Sequence, residues 1–401
     1  RDSIYIYKSS DGGRSWSYCC DWHFNYEVIA RNMAYDPVTE RLFIPLEIVR
    51  RWDTTNNIYD TGIKCAIYDI DDDEKKCVWV EDDDWNDNDA DCYLWPWVTC
   101  EYGHSNNYVY ISFEYVYNFD DRDLMFAKST DHGESWSVNS LRGGWGDPSA
   151  GDVYTQTSIT FAEGYIYIAY VHMDDYGDGV GGVCVSISSD RGGSWSHKDD
   201  IDGTSPKCSW PIVAATRGPN AVIIVFQYLY SSTDQDIGYT YSYDHGSNWH
   251  GNMWIARTAD WEGAHGVSVD GIGRNSGSSA YCYIHVAYWR GSYNNWHSGD
   301  VYYKAAHYQD LQSGTWYGGT DPINHVEGEA WSDYGYAITT RERRIGEGLY
   351  EWYPVVAWTD ERGGDSDIYV ATPEWPDLTV TDIWTDPSPP NGNEEADIYF
   401  K

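Results

Sequence analysis

Ser188-Ser189-Asp190-Arg191-Gly192-Gly193-Ser194-Trp195 decides the fold, because the chain repeats it. Ser9-Ser10-Asp11-Gly12-Gly13-Arg14-Ser15-Trp16 precedes it, as does Ser129-Thr130-Asp131-His132-Gly133-Glu134-Ser135-Trp136. Ser242-Tyr243-Asp244-His245-Gly246-Ser247-Asn248-Trp249 follows. The common pattern is S-x-D-x-G-x-x-W, and recurrence of this kind marks a repeat architecture. Each copy follows a strand-like run, such as Val183-Cys184-Val185-Ser186. The Asp suits a turn in which its carboxylate accepts backbone N–H groups two or three residues on. The Gly suits a position with φ > 0. The Trp opens the returning strand and tucks its indole under the turn. Asp11, Trp16, Asp131, Trp136, Asp190, Trp195, Asp244 and Trp249 are therefore read as structural.

Spacing extends the count. The four aspartates lie 120, 59 and 54 residues apart, so the first gap holds a hidden copy. A degraded hairpin fits there, Cys65-Ala66-Ile67-Tyr68 followed by Cys77-Val78-Trp79. Another is Val301-Tyr302-Tyr303-Lys304 with Thr315-Trp316, and a seventh strand of the kind is Asp367-Ile368-Tyr369-Val370-Ala371. An Asp opens this strand repeatedly, at Asp123, Asp236, Asp300 and Asp367. Between hairpins lie six paired apolar runs, rich in β-branched and aromatic residues and bounded by Gly, Asn and Asp. No amphipathic helix of three turns is evident.

The pattern resembles the Asp-box of sialidase-like β-propellers and their non-enzymatic relatives, over residues 1–375. The resemblance implies an all-β fold of four-stranded antiparallel blades, with the boxes away from the ligand face. Seven hairpins against six inner pairs imply seven blades, the first inner pair lying upstream of Arg1. A six-bladed ring with an extra hairpin is the alternative. Residues 376–401 change character: Pro376-Asp377-Leu378 leads to Pro387-Ser388-Pro389-Pro390. This resembles the opening of a cell-adhesion-related β-sandwich, present here only as a linker and first strands. A Pro-rich tail is the plain alternative.

Composition narrows the function. With 64 acidic against 26 basic residues, nucleic acid and anionic membranes are disfavoured partners. No run of 18 apolar residues occurs, so no transmembrane helix is expected. Nine cysteines suit an oxidising compartment. Cys65 with Cys77, and Cys92 with Cys100, are candidate disulfides. Cys19 and Cys20 are adjacent and point to opposite faces of a strand. An extracellular or cell-surface location is the expectation.

The loops on the face opposite the boxes are acidic and aromatic. Asp120, Asp121, Asp174, Asp175 and Asp178 could hold calcium, which takes six to eight oxygens from flexible loops; solvated turn acids are the bland alternative. Trp85, Trp95, Trp97, Trp145, Trp210, Trp261 and Trp331 could stack on sugar rings, although blade packing also needs large side chains. Sialidases of this fold use an arginine cluster, a Tyr nucleophile activated by a Glu, and an Asp acid/base. The Arg-Ile-Pro phrase expected before the first box is missing here, and Phe43-Ile44-Pro45 lacks the Arg. Glu262, Arg290 and Arg362 are the remaining catalytic candidates. The leading expectation is a non-catalytic scaffold or adhesion module that assembles with copies of itself or other surface proteins. The alternatives are a sialidase-like glycoside hydrolase and a calcium-dependent glycan-binding module.

Overall fold

A computed structural model describes residues 2–10, 15–53, 58–82, 92–101, 108–118, 121–143, 152–173, 180–203, 207–216, 220–269, 283–292, 295–319, 322–323, 337–346, 349–360, 367–373 and 380–385. Strands dominate, as the alternating sequence demands. The one helical element among the described residues is a 3₁₀ turn, Tyr308–Gln312. A hairpin comes first, β1 (Ser3–Lys8) with β2 (Ser17–His23). Sheet 1 follows: β3 (Glu27–Ala30) and β4 (Ala34–Asp36) both pair with β5 (Arg41–Asp53), then β6 (Ile58–Asp69) and β7 (Glu74–Glu81). Sheet 2 holds β8 (Cys92–Cys100), β9 (Val109–Asn118), β10 (Asp121–Ser129) and β11 (Ser137–Arg142). Sheet 3 holds β12 (Val153–Ala162), β13 (Tyr165–Met173), β14 (Gly182–Ser188) and β15 (Ser196–Lys198).

Sheet 4 holds β16 (Cys208–Ala215), β17 (Val222–Ser231), β18 (Asp234–Ser242) and β19 (His250–Ala256). Sheet 5 holds β20 (Trp261–Val269), β21 (Tyr283–Ser292), β22 (Asn295–His307) and β23 (Tyr317–Gly318). Sheet 6 holds β24 (Ala337–Gly346), β25 (Leu349–Asp360), β26 (Asp367–Pro373) and β27 (Val380–Thr385). Six antiparallel meanders and one hairpin are thus present among the described residues. Two single parallel bridges, Arg122↔Val153 and Gln235↔Trp261, connect sheet 2 to sheet 3 and sheet 4 to sheet 5.

The tail differs from the sequence expectation. The stretch assigned to an adhesion-type sandwich contributes β27, which pairs with β26 as the outer strand of sheet 6. An alternating strand reads alike in either setting, and pairing decided which edge it joined. Residues 386–401 lie outside the described residues.

The chain divides into two compact units, Arg1–Ser3 with His23–Val213, and Ile4–Trp22 with Ala214–Lys401. In the first, Tyr110, Phe126, Ile166 and Tyr170 form one apolar core, and Phe43, Ile67, Ile111 and Phe113 form another. In the second, Ile223, Tyr239, Val286 and Tyr288 pack together, as do Trp289, Tyr303, Val356 and Trp358.

The boxes at Asp131, Asp190 and Asp244 share one geometry. The Asp carboxylate accepts the N–H four residues on, from Ser135, Ser194 and Asn248, at 2.8–2.9 Å. That is one residue or more beyond the sequence expectation. The reason is the left-handed pair at its centre: Arg191 and Gly192 have φ of 60° and 81°, and the other boxes match. The first Ser of the pattern is a latch the sequence reading passed over. Ser188 Oγ donates to Asp190 Oδ1 and accepts from Gly192 N, both at 2.8 Å. The hydroxyl and N–H donors hold the Asp190 carboxyl down at about 2, below the usual carboxylate range. A Cβ on Gly192 would stand 2.6 Å from the Phe126 ring, so this Gly serves approach as well as φ. Trp136 Nε1 donates to Gly133 O at 3.1 Å, the expected tuck. Trp249 Nε1 finds no acceptor. Asp11 lies outside the described residues.

Candidate active site

Sheets 3 and 5 can be aligned residue by residue, because each is entered by the same parallel bridge. Val153 and Trp261 occupy the bridge position. The next residues, Tyr154 and Glu262, pair with His172 and Arg290 on the neighbouring strand. Tyr170 and Tyr288 lie two residues earlier on that strand and so share the same face. Asp152 faces His172 at 3.4 Å, and Asp260 faces Arg290 at 2.6 Å. The two sheets therefore repeat an Asp, a basic residue and a Tyr. They differ at one central place. Sheet 3 has Tyr154, whose ring stacks on His172 at 4.9 Å and meets Tyr170 edge-on at 6.0 Å. Sheet 5 has the Glu262 carboxyl, fully buried.

Glu262 sits where a carboxylate is costly. Thr258 Oγ1 donates to its Oε1, and Oε2 has no partner. Burial pushes the carboxyl up to about 7, against the pull of the Thr258 bond, with the Asp236 charge adding to the rise. Tyr288 is raised too, by burial first and then by Glu262. Arg290 does not neutralise Glu262 by direct contact. Its Nε donates to Asp260 at 2.8 Å, and its Nη2 approaches the same oxygen.

Repetition also separates structure from chemistry elsewhere. Asp123 and Asp236 stand at matching places on β10 and β18, and burial lifts each to about 6. An Asp recurring in this way belongs to the scaffold, although Asp236 Oδ1 is unpartnered and Arg257 lies 3.6 Å from its other oxygen.

In the first unit, β8, β12 and β16 carry a second recurring feature. Trp95, Gln156 and Trp210 have φ of 59°, 57° and 50°. The first two sit on β-bulges, where register slips between Leu94 and Trp97 and between Thr155 and Ser158. Each N–H is held by a side chain. Trp95 N donates to Glu47 Oε2 at 3.3 Å, Gln156 N to Glu114 Oε1, and Trp210 N to Gln156 Oε1 at 2.7 Å. Glu114 is held in turn by Arg122 at 3.2 Å and Thr155 at 2.8 Å. Burial raises Glu114, and lifts Glu47 to about 7 against the pull of Arg31. The Trp95 and Trp210 rings meet edge-on at 4.4 Å, and the Arg31 guanidinium lies 3.5 Å over Trp95.

The other sequence candidates divide clearly. Trp97 and Trp261 are half-buried and pack against apolar cores, so they are core residues. Trp85, Trp145, Trp331, Arg362, Asp120, Asp174, Asp175 and Asp178 lie outside the described residues. Asp121 is buried beside Asp123. Among the described residues no three His, Cys, Asp or Glu side chains are grouped to hold a metal. Both disulfide expectations are corrected. Cys65 pairs with Val78, and Cys77 with Ala66, so the two thiols point to opposite faces of sheet 1. Cys92 and Cys100 occupy the two ends of β8, roughly 26 Å apart at strand rise. No disulfide is present among the described cysteines.

No protein-family model matches the chain, and no curated protein does. Solved structures do. A Trypanosoma rangeli sialidase in complex with sialic acid superposes with a TM-score of 0.52 at 11% identity, over 92% of this chain and 56% of that one. A protein of unknown function from Dyadobacter fermentans gives 0.50 at 11% identity, over 92% of this chain and 97% of that one. The chain spans a little over half the length of the sialidase. At this identity the likeness establishes the fold: an all-β propeller of four-stranded antiparallel blades.

Proposed function

We propose that this propeller is a glycoside hydrolase acting on neutral sugars, with Glu262 as its proton-transfer group. One observation carries the reading. Glu262 puts a buried carboxyl, one oxygen unengaged, where the matching sheet has an aromatic ring. A native protein retains such a costly group where it has a task. A carboxyl poised near 7 both gives and takes protons at neutral pH. Tyr288 beside it completes the Tyr–Glu association that the sialidase resemblance implies. Substrate charge follows from the arginine. Arg290 is committed to Asp260, and the chain carries a net charge of −38, which disfavours a sugar carboxylate. This reading favours neutral glycosides over sialosides.

The test is fluorophore release from neutral aryl glycosides and from an aryl sialoside. Turnover of at least one neutral glycoside, abolished in Glu262→Gln, is the expected result. No turnover of any, or full activity in Glu262→Gln, returns the protein to the non-catalytic surface-scaffold reading. An extracellular location belongs to the same proposal, and fractionation of the source cells checks it.

A further inference from the structure

We infer that Trp95 and Trp210 form a stacking site for a neutral oligosaccharide, built into the first unit. The argument begins with backbone cost. A bulky residue with φ near +55° is an outlier, and a residue before proline is more restricted still. Trp95 precedes Pro96, and Trp210 precedes Pro211. Strain of this kind persists only where surroundings impose it, and it gathers at ligand sites. The imposing groups are Glu47 on Trp95 N, Gln156 on Trp210 N, and Glu114 on Gln156 N. All three are buried polar side chains. Glu114 fixes Gln156, and Gln156 fixes Trp210, so one relay of acceptors aims the second indole at the first.

The result is not core packing. Trp210 is 36% exposed, and among the described residues it is the tryptophan that stands out to solvent. Arg31 covers one face of Trp95, so the edge-on pair presents the Trp210 ring as the open surface. An indole face offers a sugar's C–H face an apolar platform, while hydroxyls look for carbonyl and carboxylate oxygens. Charge sets the class. Arg31 and Arg122 are engaged by Glu47 and Glu114, at 4.0 and 3.2 Å, so neither guanidinium is presented to a sugar carboxylate.

Binding is measured on the full chain carrying Glu262→Gln, so that turnover cannot consume the probe. Cellotetraose, xylotetraose and maltotetraose are titrated calorimetrically up to ~10 mM, with 3′-sialyllactose as the charged control. At least one neutral tetrasaccharide should bind. Adding Trp210→Ala should weaken it ~10-fold, the scale of one lost aromatic contact. Trp210→Tyr should restore most of the affinity, which a merely structural role would not predict. Near-ultraviolet circular dichroism checks that the fold survives each change and reports the Trp95–Trp210 coupling directly. Binding untouched by Trp210→Ala overturns the inference, as does binding of 3′-sialyllactose alone or of nothing in the panel. None of these outcomes bears on the hydrolase reading, which stands or falls on release from aryl glycosides by the unmodified chain.

Discussion

Sheet 3 and sheet 5 are two castings of one pattern, and they part at a single buried position. In sheet 3 an Asp and a His flank Tyr154, whose ring fills the space. In sheet 5 an Asp and an Arg flank Glu262, whose carboxyl fills it and keeps one oxygen without a partner. A repeat protein carries its own control. Features that recur, such as the Asp-box latch or the Asp opening the third strand, are what each sheet needs to fold. A feature that appears once, against the packing preference of its position, is there for another reason.

The comparison breaks most sharply at Glu262 itself. Glu262→Gln keeps the shape and removes the titrating proton, so turnover should fall by about 10² to 10⁴ while Tm does not fall. Retained turnover would make the two sheets equivalent. The reverse exchange, Tyr154→Glu, should lower stability by ~3 kcal/mol or more, because it buries a carboxyl against the Tyr170 and His172 rings and beside Asp152. Denaturant unfolding measures it, and a neutral result would show that the position tolerates charge in both sheets.

The pH profile sharpens the contrast. The Glu262 carboxyl stands at about 7 in the folded chain against 4.5 when unfolded. Its contribution is therefore fully present below pH 4.5 and lost as pH rises through 7, a change of roughly 3 kcal/mol. Tm should rise as pH falls from 8 to about 5, and Glu262→Gln should flatten part of that slope. Glu47, raised for the same reason, supplies another part that remains. The box aspartates act oppositely. They are held below the usual range by their donors, so their support is lost only as pH drops below about 4. The smallest effect belongs to the flanking pair. Arg290→His makes sheet 5 read like sheet 3, and it should cost less than about 1 kcal/mol, because Arg290 and Asp260 are both partly exposed. A large loss would mean that Arg290 supports Glu262 after all.

Much of the fold was legible because its decisive interactions are local. An Asp-box closes within eight residues, so its Asp, Gly and Trp announce themselves in order. Even there the first Ser was overlooked, since a hydroxyl bridging two partners leaves no periodic trace. The disulfide expectations failed for a non-local reason: whether Cys65 and Cys77 share a face depends on a register that shifts by one with the turn between them. The tail poses the same difficulty, because an edge strand does not name the sheet it joins, and β27 pairs with β26. Glu262, Trp95 and Trp210 are candidates in the sequence, but among 64 acids and 22 tryptophans nothing in the amino-acid order singles them out.

The amino-acid order alone determined the repeat, its hairpins, its all-β character and its acidic surface, since each rests on neighbours a few residues apart. Only the folded chain decided that Glu262 is buried without full pairing, that Trp97 and Trp261 are core while Trp95 and Trp210 meet, and that Cys65 and Cys77 face opposite sides of their sheet. Those outcomes depend on desolvation and on contacts between strands far apart in sequence, and both come into existence when the sheets pack.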